Sequence, residues 1–168
     1  MAELEAMLQN LETKVGLNIK NTNITIEGYD VDNSEAGILV YYGDIILDNS
    51  NINIKGVKHA IESEKGNVIY NANVKVDNTR YGIYGTESKF TMNGGELNAN
   101  TSLYTILTDE FEMNDGIIKG VVTDYGEVPA GIAVMGDINI NYGTIDLTVP
   151  ENSYSILQYS ESYEPEEA

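Results

Sequence analysis

The chain has 168 residues, about the length of one domain. It carries 27 acidic residues against 9 basic ones, for a formal net charge of -18, which excludes nucleic acid as a partner because phosphate contacts need clustered Lys and Arg. With no cysteine, it has neither a disulfide framework nor a thiolate metal site. Its apolar runs are shorter than a membrane-spanning helix needs, so we expect no membrane insertion by this chain.

The first residues have the spacing of an amphipathic helix. Apolar side chains recur there every three or four positions, at Leu4, Leu8, Leu11 and Val15. Gly16 follows, in the position of a residue that ends a helix in a left-handed conformation. An isolated helix of about two heptads is marginal in water. We therefore predict that residues 1–16 form either a helical cap on the next domain or an oligomerisation helix.

The rest of the chain divides into a long body and a short tail. Residues 17–160 alternate apolar and polar side chains in short bursts broken by Asn, Asp, Gly and Ser, which is typical of strands and turns. Residues 161–168 include four Glu and one Pro, and we predict an acidic disordered tail there.

An internal repeat indicates the architecture of the body. Isoleucine preceded by a small residue recurs in steps of 23, 22, 23, 26 and 24 residues. The repeated isoleucines are Ile38, Ile61, Ile83, Ile106, Ile132 and Ile156. Two further apolar columns run in phase with them. One is Ile24/Ile26, Ile45/Leu47, Val68/Tyr70, Phe90/Met92, Phe111/Met113 and Ile138/Ile140. The other is Tyr29/Val31, Ile52/Ile54, Val74/Val76, Leu97/Ala99, Ile118 with Gly120, and Ile145/Leu147.

Three short strands in each repeat of about 23 residues predict an all-β fold. One such unit cannot bury its apolar side alone, whereas stacked units bury a continuous core. We therefore predict a parallel β-helix, or β-solenoid, of about six coils. Its coil should be right-handed, as parallel crossovers generally are.

The 19 asparagines have a structural interpretation in this scheme. Four of them follow the last inward residue of a strand in successive coils, namely Asn71, Asn93, Asn114 and Asn141. Stacked amides hydrogen-bond from layer to layer in cross-β assemblies, so we predict an asparagine ladder here. Two positions later come residues that accept positive φ, which are Asn73, Gly95, Gly116 and Gly143.

The repeat also resembles a known group of proteins. A small residue and Ile, a short gap, and then apolar-x-apolar-Asn-x-Gly-x-apolar appear in YGIYGTESKFTMNGGELNA and AGIAVMGDININYGTIDL. This pattern resembles the β-helical passenger domains of bacterial autotransporter adhesins and the β-helical carbohydrate-binding modules of secreted proteins. The resemblance implies a non-catalytic adhesive or structural domain, located outside the cell or on a bacterial surface. Because the chain has neither a signal peptide nor a membrane barrel, we expect a piece of a larger protein. A phage tail-fibre or tailspike segment is the alternative context.

One strand surface carries the candidate binding residues. The residue directly after the repeated Ile points outward by strand alternation and is uncharged in five of six coils. The residue two positions before the repeated Ile faces inward if the strand begins there, and it faces outward if a turn lies there. We take Tyr81, Tyr84, Tyr104 and Leu107 as the candidate ligand-binding residues. The candidate partners are a polysaccharide, a host or neighbouring-cell surface, or another copy of the chain.

The sequence offers little that favours catalysis. A polysaccharide lyase or hydrolase would need paired acids, and Asp109 with Glu110 is a candidate only because acids are plentiful. Asp30 and Asp32 give a weak calcium candidate that lacks the rest of a dedicated loop. His59, the only histidine, has no partner for a metal site or a catalytic triad, so we predict a turn residue. We expect no enzyme and no cofactor.

Overall fold

Parallel strands make up the part of the chain that the structure describes. The computed structural model describes residues 16–123 and 130–159, so the predicted helix 1–16, apart from Gly16, and the predicted tail 161–168 lie outside the described residues. These two ranges contain no helix, and therefore none that is long and apolar enough to cross a membrane. Their strands are β1 (Leu17–Lys20), β2 (Asn23–Glu27), β3 (Ala36–Tyr42), β4 (Ile45–Lys55), β5 (His59–Lys65), β6 (Val68–Val122), β7 (Ala130–Val134), β8 (Ile138–Ile140), β9 (Thr144–Thr148) and β10 (Tyr154–Gln158).

The strands stack as a β-solenoid with three faces, which confirms the predicted fold class. On the first face Leu17 pairs with Ile45 and Ile45 with Val68, and on the second face Ile24 pairs with Ile52. The third face joins the repeated isoleucines in register, Ile38 to Ile61 to Ile83 and Ile106 to Ile132 to Ile156. About five turns of the coil separate the first rung from the last.

Strand β6 is 55 residues long and contributes rungs to all three faces. Stretched straight, it would run for about 180 Å. Instead, the ring centroids of Phe90 and Phe111 lie 5.7 Å apart, as do those of Tyr70 and Phe90. The segment therefore bends at each corner and returns one coil further along. These three rings are fully buried in the core that the inward side chains form.

The predicted column assignment is wrong for the first coil. Ile24 and Ile26 pair with Ile52 and Ile54, one face later than predicted. The rung that pairs with Ile45 and Leu47 is instead Leu17 and Ile19. The reason is a turn at 30–34, in which the amides of Asn33 and Ser34 both donate to the carbonyl of Asp30. Tyr29 and Val31 belong to this turn region and not to a strand.

One prediction about turn residues is also wrong. Asn73 does not have positive φ but lies in β6, paired with Asn51, because its coil is shorter at this corner by one residue. Asn49 has the positive φ, 44°, in the longer coil before it. At Gly16 a Cβ would lie 2.7 Å from the carbonyl oxygen of Asp44, so the first rung needs a glycine at this position. The three predicted glycines do have positive φ, at Gly95, Gly116 and Gly143.

Candidate functional site

A bend at the start of each third-face strand decides which side chains reach the surface. A Cβ at Gly37 would lie 2.7 Å from Ile54 Cγ2, and a Cβ at Gly131 would lie 2.8 Å from Leu147 Cδ1. The small residue and the following isoleucine therefore both face inward. The residue two positions before the isoleucine consequently points outward, on the same side as the residue after it. This is why the repeat needs a small residue there.

The structure brings the four candidate binding residues together on the outside of the third face. They belong to a hydrophobic cluster that is separate from the core. We call this surface the aromatic face, and its members are His59, Tyr81, Tyr84, Tyr104, Leu107, Ala133, Leu157 and Tyr159. The rings of Tyr81 and Tyr104 stack with centroids 5.7 Å apart, and Tyr81 meets Tyr84 edge-on at 5.0 Å. Successive coils thus build one continuous aromatic surface.

His59 is part of this surface, and its prediction as a turn residue is wrong. It begins strand β5, and its side chain is buried. Its ring stacks on Tyr84 with centroids 4.4 Å apart and an interplanar angle of 3°. Its Nδ1 lies 2.6 Å from Glu62 Oε2, so the Nδ1–H donates to the carboxylate. The signal was present in the sequence, because His59 occupies the repeat position of Tyr81 and Tyr104.

The surroundings of Tyr84, Tyr104 and Tyr159 favour the neutral form of these three phenols. Burial raises the pKa of Tyr104 to about 12, and the nearby phenols of Tyr159 and Tyr81 add to the shift. Burial also raises the pKa of Tyr84, with further contributions from Tyr81 and the Glu62 carboxylate. Tyr159 is shifted in the same direction by burial. At neutral pH these three hydroxyls are therefore protonated.

A polar groove of about 330 Å³ lies where the chain enters the aromatic face. Its lining comes from the residues directly before Tyr81 and Tyr104, together with the turn after β2. Arg80 Nη2 donates to Asp32 Oδ1 across this groove, at 2.9 Å. The other polar side chains around it are those of Asn78, Thr79, Asn100, Thr101, Ser102 and Thr123. Sequence reasoning missed the groove because it combines residues from distant coils.

The predicted asparagine positions carry hydrogen bonds between coils. Asn114 donates to Asn93 at 3.0 Å, and Asn141 donates to Asn114 at 2.8 Å. Asn71 donates to Asp48 at 3.0 Å, so in the coil before Asn71 the ladder position holds a carboxylate instead of an amide. A second ladder runs along the second face, from Asn73 to Asn51 to Asn23. Both ladders tie neighbouring coils together at the surface.

The two acids of the calcium candidate have partners within the protein. Asp30 accepts from the backbone amide of Asp32 at 3.0 Å and from Asn33 Nδ2 at 2.8 Å. These two hydrogen bonds hold the pKa of Asp30 below its ordinary value. Asp32 forms the ion pair with Arg80. Both carboxylates thus stabilise the turn at 30–34 and its contact with β6.

Acidic side chains elsewhere are dispersed over ion pairs. Lys89 Nζ lies 4.0 Å from Glu110 and 2.5 Å from Glu112, so Glu110 of the candidate catalytic pair has a cationic partner. Across the described ranges, no three His, Cys, Asp or Glu side chains are grouped in a way that could hold a metal ion.

Comparison with known proteins adds no family to this description, since no protein-family model, curated protein or solved structure matches the chain.

Proposed function

We propose that this protein is a non-catalytic adhesive or structural domain of a bacterial surface or secreted protein. The solenoid is the rigid scaffold, and the aromatic face is the surface that contacts the partner. The observation that carries the proposal is the joining of Tyr81, Tyr84 and Tyr104 into one outward cluster across successive coils. Tyrosine suits such a contact because the ring supplies apolar area and the hydroxyl supplies a hydrogen bond.

The contrast with the other outer surfaces supports this choice of face. On the second face, outward positions hold the ladder from Asn23 to Asn73 and the ion pair of Lys119 with Glu96. Such amides and exposed ion pairs keep a stacked sheet soluble. The aromatic face instead carries rings and apolar side chains at its outward positions, with Leu107 and Ala133 buried and the three tyrosines half-buried, which distinguishes it from a solvated polar face.

Binding of the labelled protein to bacterial and host cells tests the proposal. The informative variant is Tyr84→Ala, which removes the ring that stacks on His59. The matched control is Tyr29→Ala, because Tyr29 is a fully exposed tyrosine that does not belong to the hydrophobic cluster of the aromatic face. We expect Tyr84→Ala to lower cell binding at least tenfold, by about 1.4 kcal/mol or more, and Tyr29→Ala to leave it unchanged. Equal binding by both variants contradicts the proposal.

Carbohydrate binding is the second candidate function, and the polar groove favours it. Sugar rings present apolar C–H faces and many hydroxyls, so a site for them needs aromatic rings beside amides and charged groups. Arg80 directly precedes Tyr81, and Asn78 and Asn100 lie three and four residues before Tyr81 and Tyr104, so all three supply polar groups beside the rings. The formal net charge of -18 disfavours sulfated or uronic-acid polymers, so we expect neutral glycans.

A glycan array separates the two candidates. Selective binding of neutral glycans, lost in Tyr84→Ala and reduced in Arg80→Ala, supports the carbohydrate module. A blank array together with intact cell binding supports the adhesive domain with a protein partner. Binding confined to acidic glycans contradicts the charge argument and, with it, the carbohydrate proposal as stated.

A further inference from the structure

The polar groove at the entry to the aromatic face is built by segments that lie far apart in the chain. Val31 and Asp32 of the turn at 30–34 form one wall, and residues 78–80 and, one coil later, 100–102 of β6 form the other. Its volume of about 330 Å³ is at the small end of the range of about 300–1,000 Å³ that small-molecule sites occupy. The groove therefore has room for a ligand of one or two rings.

The ion pair across the groove keeps unused hydrogen-bonding capacity. Arg80 Nη2 donates to Asp32 Oδ1 at 2.9 Å, and the two side chains remain 45% and 64% exposed. This contact uses one of the five guanidinium N–H groups and one of the two carboxylate oxygens. The two side chains form no other hydrogen bond within the described part of the chain. Charged donors and a charged acceptor therefore lie side by side at the groove.

Uncharged side chains along β6 add further donors and acceptors. Within the described residues, the side chains of Asn78 and Ser102 form no hydrogen bond. Asn100 Nδ2 donates to Asp77 Oδ1 at 3.1 Å, which leaves the side-chain carbonyl oxygen of Asn100 able to accept. The groove thus presents groups of both kinds, so a matching ligand carries hydrogen-bond donors as well as acceptors.

Two buried hydroxyls in the wall point to the same kind of ligand. Thr79 and Thr101 line the groove in successive coils and are only 2% and 1% exposed. Among the described residues, neither hydroxyl has a hydrogen-bond partner. Buried hydroxyls in native proteins normally have a partner, because leaving one unsatisfied is costly. These two residues therefore favour a hydroxylated occupant over an apolar one.

We propose that the groove binds a short neutral saccharide through two adjacent hydroxyls held by Asp32 and Arg80. A sugar hydroxyl both donates and accepts, so one of the pair donates to Asp32 Oδ2 and its neighbour accepts from a remaining N–H of Arg80. The ion pair balances its own charge, and the formal net charge of -18 repels anionic sugars. This inference rests on the carbohydrate binding proposed above and adds the residues and hydroxyls that make the contact.

Isothermal titration calorimetry on the full chain tests the proposal. The probes are the methyl glycosides of glucose, galactose and mannose and the disaccharides maltose, cellobiose and lactose. We expect at least one of them to bind, and Asp32→Ala and Arg80→Ala to weaken that binding about tenfold or more. The matched controls are Glu35→Ala and Lys58→Ala, which remove the same charges from an exposed ion pair that does not line the groove. These controls should bind like the wild type.

The variants need a check on folding, because Asp32 and Arg80 also join the turn at 30–34 to β6. Melting temperatures of all variants provide it, and Asp32→Asn, which keeps the shape of the side chain, should still weaken binding. Absence of binding by all six probes overturns the proposal. Equal weakening in the control variants, or undiminished binding by folded Asp32→Ala and Arg80→Ala, also overturns it.

Tyr84→Ala separates this proposal from the proposed function. Tyr84 does not line the groove, so the variant should bind the disaccharide like the wild type. A longer glycan extends from the groove to the aromatic face, so its binding should weaken in Tyr84→Ala as well. Loss of disaccharide binding in Tyr84→Ala but not in Asp32→Ala would overturn the groove as the site and leave carbohydrate binding by the aromatic face standing. Cell binding that depends on Tyr84 while no saccharide binds would overturn the groove proposal alone.

Discussion

The hydroxyl of Thr105 occupies the space that a side chain at position 120 would need. A Cβ placed on Gly120 would overlap with Thr105 Oγ1 and would lie 2.6 Å from Leu147 Cδ2. Position 105 is the small-residue position of its repeat, and here it holds Thr. Position 120 is an apolar position in other coils, and here it holds Gly. The two departures from the repeat compensate each other, because the coil core has a fixed volume at that corner.

This relationship predicts a coupled pair of substitutions. Gly120→Ala should destabilise the protein by about 1–3 kcal/mol, because the core is overpacked and Thr105 cannot move away. In a Thr105→Gly background the same substitution should cost less, and the coupling energy should be about 1 kcal/mol or more. Chemical denaturation of the four proteins measures this. Strictly additive effects would show that the two sites are independent.

The buried hydroxyl of Tyr70 predicts a second stability effect. It donates to the carbonyl of Glu96 at 2.7 Å and accepts from the amide of Val74 at 3.2 Å. Tyr70→Phe removes both hydrogen bonds and leaves two backbone groups without this partner, so it should cost about 1–3 kcal/mol. Tyr42→Phe is the control, since Tyr42 is exposed. Equal melting temperatures for the two variants would contradict the assignment.

The amide ladder predicts a smaller, measurable coupling. Asn114 accepts from Asn141 and donates to Asn93, so it links three coils. Asn114→Ala should cost about 1 kcal/mol, and a double-mutant cycle with Asn141→Ala should show coupling of about 0.5 kcal/mol or more. Asn139→Ala, at an exposed position in the neighbouring strand, should change stability by less than about 0.5 kcal/mol. If the hydrogen bonds of the ladder do not contribute to the free energy of unfolding, the double-mutant cycle will show no coupling energy.

The raised pKa of Tyr104 predicts a loss of stability in alkaline solution. In the unfolded chain its phenol ionises near pH 10, whereas in the folded protein its pKa is about 12. Its neutral form is therefore favoured by folding, and the contribution is complete below about pH 10 and lost as pH rises to about 12. Thermal melts between pH 9 and pH 12 should show this decline. It should be shallower in Tyr104→Phe, and an identical decline in both proteins would assign it to other groups.

The regular part of the solenoid is predictable from the sequence because its geometry repeats. Each inward residue stacks on its equivalent in the next coil, so the isoleucine steps of 22 to 26 residues locate the third face in all six rungs. Periodicity fails where the coil length changes. The turn at 30–34 lengthens the first coil, so the interval from Ile24 to Ile45 mimics a repeat that the structure does not contain.

The candidate site is predictable only in part, for a related reason. Strand alternation correctly places Tyr84 and Leu107 outward. It cannot place His59, Tyr81 and Tyr104, since two successive residues face inward at the bend that follows them. That bend becomes visible only when the space around Gly37 and Gly131 is known. The polar groove likewise depends on distances between coils, which a single repeat does not contain.

The central claim is that the aromatic face is the surface through which this protein binds. The most direct test compares the dissociation constants of wild type, Tyr84→Ala and Tyr29→Ala for the same cells or the same arrayed glycan. Melting temperatures must first show that all three proteins are folded. The account predicts at least a tenfold weaker affinity for Tyr84→Ala and an unchanged affinity for Tyr29→Ala. Undiminished binding by Tyr84→Ala would contradict it.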